Sequence, residues 1–257
     1  MIPRLFVHDT LAAGARFAAD PRVLHYLMNV LRRGEGDPLR LFNGRDGEFS
    51  GRIAEAGKRR MTLEVLQRTR AQEPVADLWL CFAPLKKDAV DFLVEKGTEL
   101  GVDRFLPVLT AHTVNSRVNQ TRLTAVATEA AEQCGRLSVP ELAEPVTLEA
   151  LRTSWPRGRR LLVCAEAGLA TPIAEALLAP KDPALTTDVS AANRYAILCG
   201  PEGGFQHDEL DRLRKLDFVT AVGLGPRILR AETAALAALA AFQAIRGDGA
   251  KRPPQPD

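Results

Sequence analysis

The first part of the chain combines short alternating runs of apolar residues with frequent turn residues. The runs predict strands at about 38–42, 48–54 and 61–67. The pairs Asn43-Gly44 and Asp46-Gly47 lie between the first two and favour tight turns. The pattern therefore predicts a small β-rich unit.

One helix is predicted before these strands. Asp20-Pro21 supplies a capping side chain and a proline at the first helical position, and Gly34 marks the stop just past Leu31-Arg32-Arg33. Residues 68–76 are polar, contain a proline and predict a linker. We therefore expect a first domain over residues 1–70.

Beyond residue 77, continuous apolar runs alternate with helical patterns. Strands are expected at 78–83, 104–109, 160–165, 195–199 and 218–224, and helices at 86–100, about 120–134, after Thr171-Pro172, and at 207–216 and 231–246. Gly101 and Gly135 are placed to end two of these helices. Apolar strands between helices indicate an α/β domain with a mostly parallel sheet over residues 77–246. Residues 180–193 predict a surface loop, and residues 247–257 a disordered tail.

The last helix is apolar on almost every face. Eight of the residues from Ala231 to Ile245 are alanine, and a helix without a polar face must be buried on several sides. Burial within the subunit and partial burial against a second subunit both satisfy this requirement. The sequence pattern leaves the two alternatives open.

The amino-acid composition indicates the class of protein and its expected location. Hydrophobic residues at 46% and charged residues at 26% are typical of a globular protein. No apolar run reaches the roughly 18–20 residues of a membrane span, and the N-terminus has no secretory-signal pattern. We therefore expect a cytoplasmic protein without a membrane partner. Cys81, Cys134, Cys164 and Cys199 lack metal-ligand spacing, so we expect reduced thiols and no metal.

Charge is unevenly distributed along the chain. Residues 1–70 contain 13 Lys and Arg against 8 Asp and Glu, whereas the remainder contains 21 against 24. A basic N-terminal module is typical of polyanion binding. An ordinary solvated surface explains the charge equally well.

Two segments carry candidate chemistry. Gly200-Pro-Glu-Gly-Gly204 leaves a buried strand and precedes a helix, where glycines let a ligand approach the backbone. Its spacing matches neither common phosphate loop, and Glu202 adds a carboxylate that disfavours phosphate. Leu224–Ala234 again passes from a strand into a helix, with Arg227, Arg230 and Glu232 at the entry. Alone, this second segment is equally compatible with helix capping and surface ion pairs.

Together these two segments resemble the cofactor-binding motifs of the SPOUT methyltransferases, specifically the RsmE family. The resemblance extends to Ile2–Phe6, His25–Arg32, Lys96–Val102 and Glu132–Arg136, and so spans the chain. It implies an S-adenosyl-L-methionine-dependent methylation of N3 of a uridine in 16S rRNA of the small ribosomal subunit, at position 1498 in the usual rRNA numbering. It also implies a C-terminal trefoil knot and an N-terminal PUA-like β-barrel.

The resemblance further implies site residues. The residues expected to bind the cofactor lie in or next to the loops that follow three predicted strands. They are Glu166, Leu198, Gly200, Glu202, Gly203, Leu224, Gly225, Arg227, Ile228, Leu229 and Thr233. Arg230 is expected to stabilise the developing uracil anion, and Glu232 to accept the N3 proton.

Partners also follow from the resemblance. The family is dimeric, so Glu132, Gln133 and Arg136 are expected either to reach the partner's cofactor pocket or to hold the fold. The expected phosphate contacts are arginines of the basic N-terminal module and an arginine just after the helix predicted at about 120–134. They are Arg4, Arg22, Arg32, Arg33 and Arg136. Two alternatives stay open, namely a SPOUT methyltransferase acting on another RNA such as tRNA, and a non-catalytic ribosome-assembly factor that binds RNA.

Overall fold

A computed structural model describes residues 2–57, 59–74, 76–114, 117–165, 170–179 and 194–252. The chain divides into two compact units. The first consists of Met1–Pro74 with Ala131–Val139, and the second of Val75–Ala130 with Pro140–Asp257. The sequence pattern places residues 131–139 in the second domain, because nothing in their local pattern shows that they pack with the first unit. No helix in the described ranges is long and apolar enough to cross a membrane.

The first unit is built on a five-stranded sheet. Its strands are β1 (Arg4–Phe6), β2 (Arg16–Ala18), β3 (Pro38–Phe42), β4 (Glu48–Ala56) and β5 (Met61–Arg70). Their order is β1-β3-β4-β5-β2, with β1 parallel to β3 and the other pairs antiparallel. Alternate side chains such as Leu39 and Leu41 are fully or almost fully buried, as the period of a strand with one core face requires. The predicted β-rich unit is confirmed.

Two predictions for this unit need correction at their boundaries. Helix α1 (Pro21–His25) continues as a π-helical turn, Tyr26–Val30, and ends before Gly34. The Arg33 N–H donates to the Leu27 carbonyl, and Arg32 takes the left-handed conformation (φ 53°) that a helix end usually gives to glycine. The predicted linker also begins too early, because β5 stays paired with β4 as far as Arg70.

The second unit contains an eight-stranded sheet. Its strands are β6 (Leu78–Phe82), β7 (Arg104–Leu109), β8 (Glu141–Leu142), β9 (Val146–Thr147), β10 (Arg160–Cys164), β11 (Thr171–Pro172), β12 (Tyr195–Cys199) and β13 (Val219–Gly223). The order is β11-β13-β10-β12-β6-β7-β8, β9 also pairs with β7, and the pairs are parallel. All five residues of β12 are buried, as expected for a central parallel strand. The predicted parallel sheet is confirmed.

Beyond α1, the described part of the chain contains six further helices. They are α2 (Lys87–Glu99), α3 (Gln120–Cys134), α4 (Leu148–Thr153), α5 (Ile173–Leu178), α6 (His207–Arg214) and α7 (Ala231–Ile245). Gly101 and Gly135 follow α2 and α3 with positive φ (82° and 83°), which confirms the predicted stops. The predicted surface loop at 180–193 lies outside the described residues.

The apolar helix α7 covers the central strands. It packs against β12, α2 and α5, and the ring centroids of Phe242 and Tyr195 lie 5.3 Å apart. Thr233, Ala240 and Ala244 are exposed on its other side. Directly after α7, the N–H groups of Gly247 and Gly249 donate to carbonyls of this helix. Residues 253–257 lie outside the described ranges, and the disordered tail stays a prediction.

Candidate cofactor site

A cavity of about 870 Å³ lies at the carboxyl ends of β10, β12 and β13. In a parallel sheet these ends meet at one edge, where α/β proteins bind their ligands. The volume falls within the roughly 300–1,000 Å³ usual for small-molecule sites. Both glycine-rich segments line this one cavity. The structure therefore joins two features that are separate in the sequence.

Most of the sequence-predicted cofactor and catalytic residues contribute to the lining. They are Gly200, Glu202, Leu224, Gly225, Arg227, Ile228, Leu229, Arg230 and Glu232. Leu198, Gly203 and Thr233 do not belong to it: Leu198 is fully buried in β12 and Thr233 is exposed on α7. Glu166 lies outside the described residues.

The loop after β12 needs glycine for two reasons. A Cβ on Gly200 would lie 2.9 Å from a ring atom of Phe205, so the absence of a side chain lets the Phe205 ring cover the loop. Gly204 has a φ of +70°, and its N–H donates to the Pro201 carbonyl at 2.9 Å. The loop is thus a tight turn whose backbone faces the cavity.

The loop after β13 brings cationic and anionic groups to the same cavity. Gly225 turns the chain with a φ of +105°, and Arg230 occupies the position just before α7 with its side chain exposed. Glu232 lies in the first turn of α7. Among the described residues, no hydrogen bond or ion pair engages the side chains of Arg227, Arg230 or Glu232, which leaves these charges available to a ligand.

Two thiols lie at the base of the cavity. The Sγ atoms of Cys164 and Cys199, at the ends of neighbouring strands, are 3.6 Å apart, and both residues line the cavity. The hydrogen bond to Cys164, together with burial, raises the pKa of the Cys199 thiol well above its usual value. The structure contains the four cysteines as free thiols. Across the described ranges, no group of three or more His, Cys, Asp or Glu side chains is arranged to hold a metal ion.

Some lining residues were missed by the sequence analysis. Lys86, Ala89 and Phe205 line the cavity together with the two thiols. Lys86 immediately precedes α2 in the connection that leaves β6, and β6 pairs with β12. The sequence predicts both strands but not their adjacency, so nothing in it points to Lys86.

Arg4 has a structural role, and its assignment to phosphate binding is corrected. Its side chain is only 12% exposed and forms an ion pair with Glu48. The guanidinium also donates to the carbonyls of Ala131 and Arg136, and it lies 4.0 Å from the centroid of the Phe42 ring. The Ala131 carbonyl lies in the last turn of α3, where backbone acceptors have no partner within the helix, and Arg136 lies just beyond the end of that helix. Arg4 therefore holds the segment 131–139 in the first unit.

The other predicted RNA contacts are placed differently. Arg22 is 41% exposed and pairs with Glu132 at 3.0 Å, and Arg33 lies 3.8 Å from Asp37. Arg32 is exposed, and Arg136 is partly buried. Glu132 also accepts the Phe6 N–H at 2.8 Å, which favours its fold-holding role over a role in a partner's pocket.

Comparison with known proteins defines the class to which this fold and site belong. A family model described as an RNA methyltransferase domain matches residues 71–243. A second model, described as an RNA methyltransferase PUA domain, matches residues 20–66. The parallel sheet with its cavity thus corresponds to the methyltransferase part, and the five-stranded sheet to the PUA part.

Individual relatives narrow the class. The ribosomal RNA small subunit methyltransferase E of Rickettsia conorii is 32% identical over 92% of this chain and 93% of the relative, and that of Bacillus subtilis is 30% identical over 90% and 93%. The Neisseria gonorrhoeae enzyme of the same name, solved bound to S-adenosyl methionine, aligns with a TM-score of 0.80 at 27% identity over 96% of this chain and 99% of the other. A putative methyltransferase from Legionella pneumophila, also solved with this cofactor, aligns with a TM-score of 0.80 at 26% identity over 95% and 98%. The chain belongs to the RsmE family of RNA methyltransferases.

Proposed function

We propose that this protein binds S-adenosyl-L-methionine in the cavity and methylates N3 of one uridine of 16S rRNA, the position numbered 1498 in the usual rRNA numbering. The observation that carries the proposal is that a single cavity unites both glycine-rich loops with Arg230 and Glu232. The relatives named for small-subunit rRNA methylation support the choice of RNA.

The residues present fit this cofactor. Glycine-rich turns expose backbone groups to the cavity, which suits the adenosine part of the ligand. Glu202 lies at the cavity without a described ion-pair partner and suits a ligand that bears positive charge near the loop. The cofactor supplies an activated methyl group, so the protein has mainly to bind, orient and handle one proton.

The chain's own residues would then promote the attack of uracil N3. Arg230 stabilises the negative charge that develops on the uracil as the N3 proton leaves, and Glu232 accepts that proton. When bound, S-adenosyl-L-methionine would supply the methyl group to N3 and keep the electron pair of its methyl–sulfur bond, so atoms and charge would balance without a further reactant. Holding the base in line contributes as well, because alignment can be worth roughly 7–11 kcal/mol of a barrier.

The test is methyl incorporation into small ribosomal subunits at saturating cofactor. Arg230→Ala is expected to lower kcat about 100- to 1,000-fold, as for the loss of one charge-stabilising donor. Glu232→Gln is expected to lower it about 100-fold or more, as for the loss of a general base. Arg212→Ala is the matched control, because Arg212 lies on α6 outside this cavity. Rates near wild type for both cavity variants would overturn the assignment.

The proposal extends to RNA binding and assembly. We assign phosphate contacts to Arg22 and Arg32, the arginines of the basic module that keep exposed surface, and also to Arg33 and Arg136. We also propose a cytoplasmic homodimer, supported by the exposed small residues Thr233, Ala240 and Ala244 on α7. Light scattering of the purified protein tests the dimer, and a monomer at micromolar concentration would contradict it. The trefoil knot stays a prediction.

A further inference from the structure

We propose that His112 and Glu209 are positioning residues that hold the 200–206 loop in the conformation that receives S-adenosyl-L-methionine. Neither side chain lines the cavity. They connect the back of the 200–206 loop to the turn that follows β7. The inference depends on cofactor binding in this cavity and not on which RNA atom is methylated.

Glu209 ties two loops together through both of its carboxylate oxygens. One oxygen accepts the Ala111 N–H at 2.8 Å, and the other accepts the Gln206 N–H at 3.0 Å. The residue lies in the first turn of α6 and is only 7% exposed. Hydrogen bonds to an ionised acceptor are stronger than neutral ones, and the loss of this acceptor would leave two N–H groups without their partner.

His112 reaches the same loop from the turn after β7. Its Nδ1 lies 3.2 Å from the Gly203 carbonyl oxygen and 3.1 Å from that of Gly204, so this nitrogen must carry the proton and donate it. A Cβ on Gly203 would contact the His112 side chain at 3.5 Å, which shows how closely the ring lies against the loop.

The turn that presents His112 is itself fixed. Thr113 Oγ1 accepts the Thr110 N–H at 2.9 Å, and the Thr113 N–H donates to the Thr110 carbonyl at 3.0 Å. Together with the two bonds of Glu209, these contacts form a closed ring of hydrogen bonds through Ala111, His112 and the loop. We call this ring the loop brace. It gives the 200–206 backbone a single preferred position before any ligand arrives.

A brace of this kind affects binding more than chemistry. If the loop is not held, part of the binding free energy is used to order it, and the apparent Kd for the cofactor rises. At saturating cofactor the loop is ordered again, so kcat should change little. We expect Glu209→Gln to raise the Kd about tenfold to a hundredfold. His112→Ala should raise it about three- to tenfold, because the bonds of His112 are solvent-exposed.

The geometry allows a sharp set of variants. In His112→Asn the side-chain amide nitrogen takes the place of Nδ1, whereas in His112→Gln it takes a place near Nε2. Asparagine should therefore restore the Kd to within about threefold of wild type, while glutamine should behave like alanine. Glu149→Gln is the matched control for Glu209→Gln, since Glu149 is exposed and pairs with Arg152 on α4.

The experiment is calorimetric titration of each purified variant with S-adenosyl-L-methionine, with hydrogen exchange of the ligand-free proteins. We expect faster exchange of the Ala111 and Gln206 amides in Glu209→Gln, together with its weaker binding. A variant that melts at a lower temperature yet binds with the wild-type Kd would show a role in stability alone and overturn the inference. Equal Kd values for the asparagine and glutamine variants would also overturn it. Wild-type protein that fails to bind the cofactor would overturn the proposed function itself, and the inference with it.

Discussion

Substitution of Gly225 measures how much the backbone conformation of the loop after β13 contributes to the binding of S-adenosyl-L-methionine. Its φ of +105° is accessible to glycine and strained for other residues. An added Cβ would meet no atom within 4 Å, so the penalty of Gly225→Ala is conformational rather than steric. Residues forced into such regions cost about 1–3 kcal/mol.

This cost translates into binding affinity if the loop relaxes in the ligand-free variant. The cofactor must then restore the original conformation, and about 1.4 kcal/mol corresponds to a tenfold change in Kd. Gly225→Ala is therefore expected to raise the Kd for S-adenosyl-L-methionine by about 5- to 150-fold. Isothermal titration of the purified variant measures the change.

Gly14→Ala is the matched control. Gly14 also has a positive φ (+83°) and no atom near its missing Cβ, but it lies in the first unit. Both variants share the backbone strain, and only Gly225→Ala should lose affinity. If Gly225→Ala binds the cofactor within about twofold of Gly14→Ala, the reasoning that the loop is preorganised by this glycine is refuted.

Two further predictions concern the charges and thiols of the fold. Burial alone would raise the pKa of Glu48, but the hydrogen bonds and charges of Arg4 and Arg40 hold it below its usual value. The ionised carboxylate therefore adds stability above the usual Glu pKa of about 4.3, and this stability is lost as the pH falls through the lower, folded-state pKa. Glu48→Gln should lower the free energy of unfolding by about 3–5 kcal/mol at pH 7 and by progressively less as the pH falls below the usual Glu pKa, as measured by urea unfolding across this range; a difference that does not change with pH would contradict this. The hydrogen bond of Cys199 to Cys164 and the burial of Cys199 raise the pKa of its thiol. This thiol should therefore react with iodoacetamide at pH 8 far more slowly in the native than in the unfolded protein. Peptide mass spectrometry measures the two rates, and similar rates would contradict the raised pKa.

The fold was predictable where local patterns and burial coincide. The continuous apolar run at 195–199 marks a strand buried on both faces, and the structure has β12 at those residues. The two-residue strands β8 and β9 and the short helix α4 were not predicted, since such short segments carry no periodicity of their own. The place of residues 131–139 depends on Arg4, more than 120 positions earlier in the chain. Contacts between such distant positions leave no local signal.

The site was predictable only for residues that belong to its two glycine-rich segments. Both glycine-rich segments stand out in the sequence, and the cavity contains Arg230 and Glu232. Lys86 and the brace residues His112 and Glu209 become visible only when the order of the strands is known. Arg4 was instead predicted to contact phosphate and is paired with Glu48. The residue type and the charge of the surrounding segment do not reveal whether an arginine is exposed or paired.

The reaction that we propose for this protein is methylation of N3 of one uridine in small-subunit rRNA. Mass spectrometry of 16S rRNA from a strain lacking the gene, before and after complementation with the wild-type gene, tests it most directly. We expect N3-methyluridine to be absent from the fragment containing position 1498 in the deletion strain and to return on complementation. Retention of the methyl group in the deletion strain would contradict it.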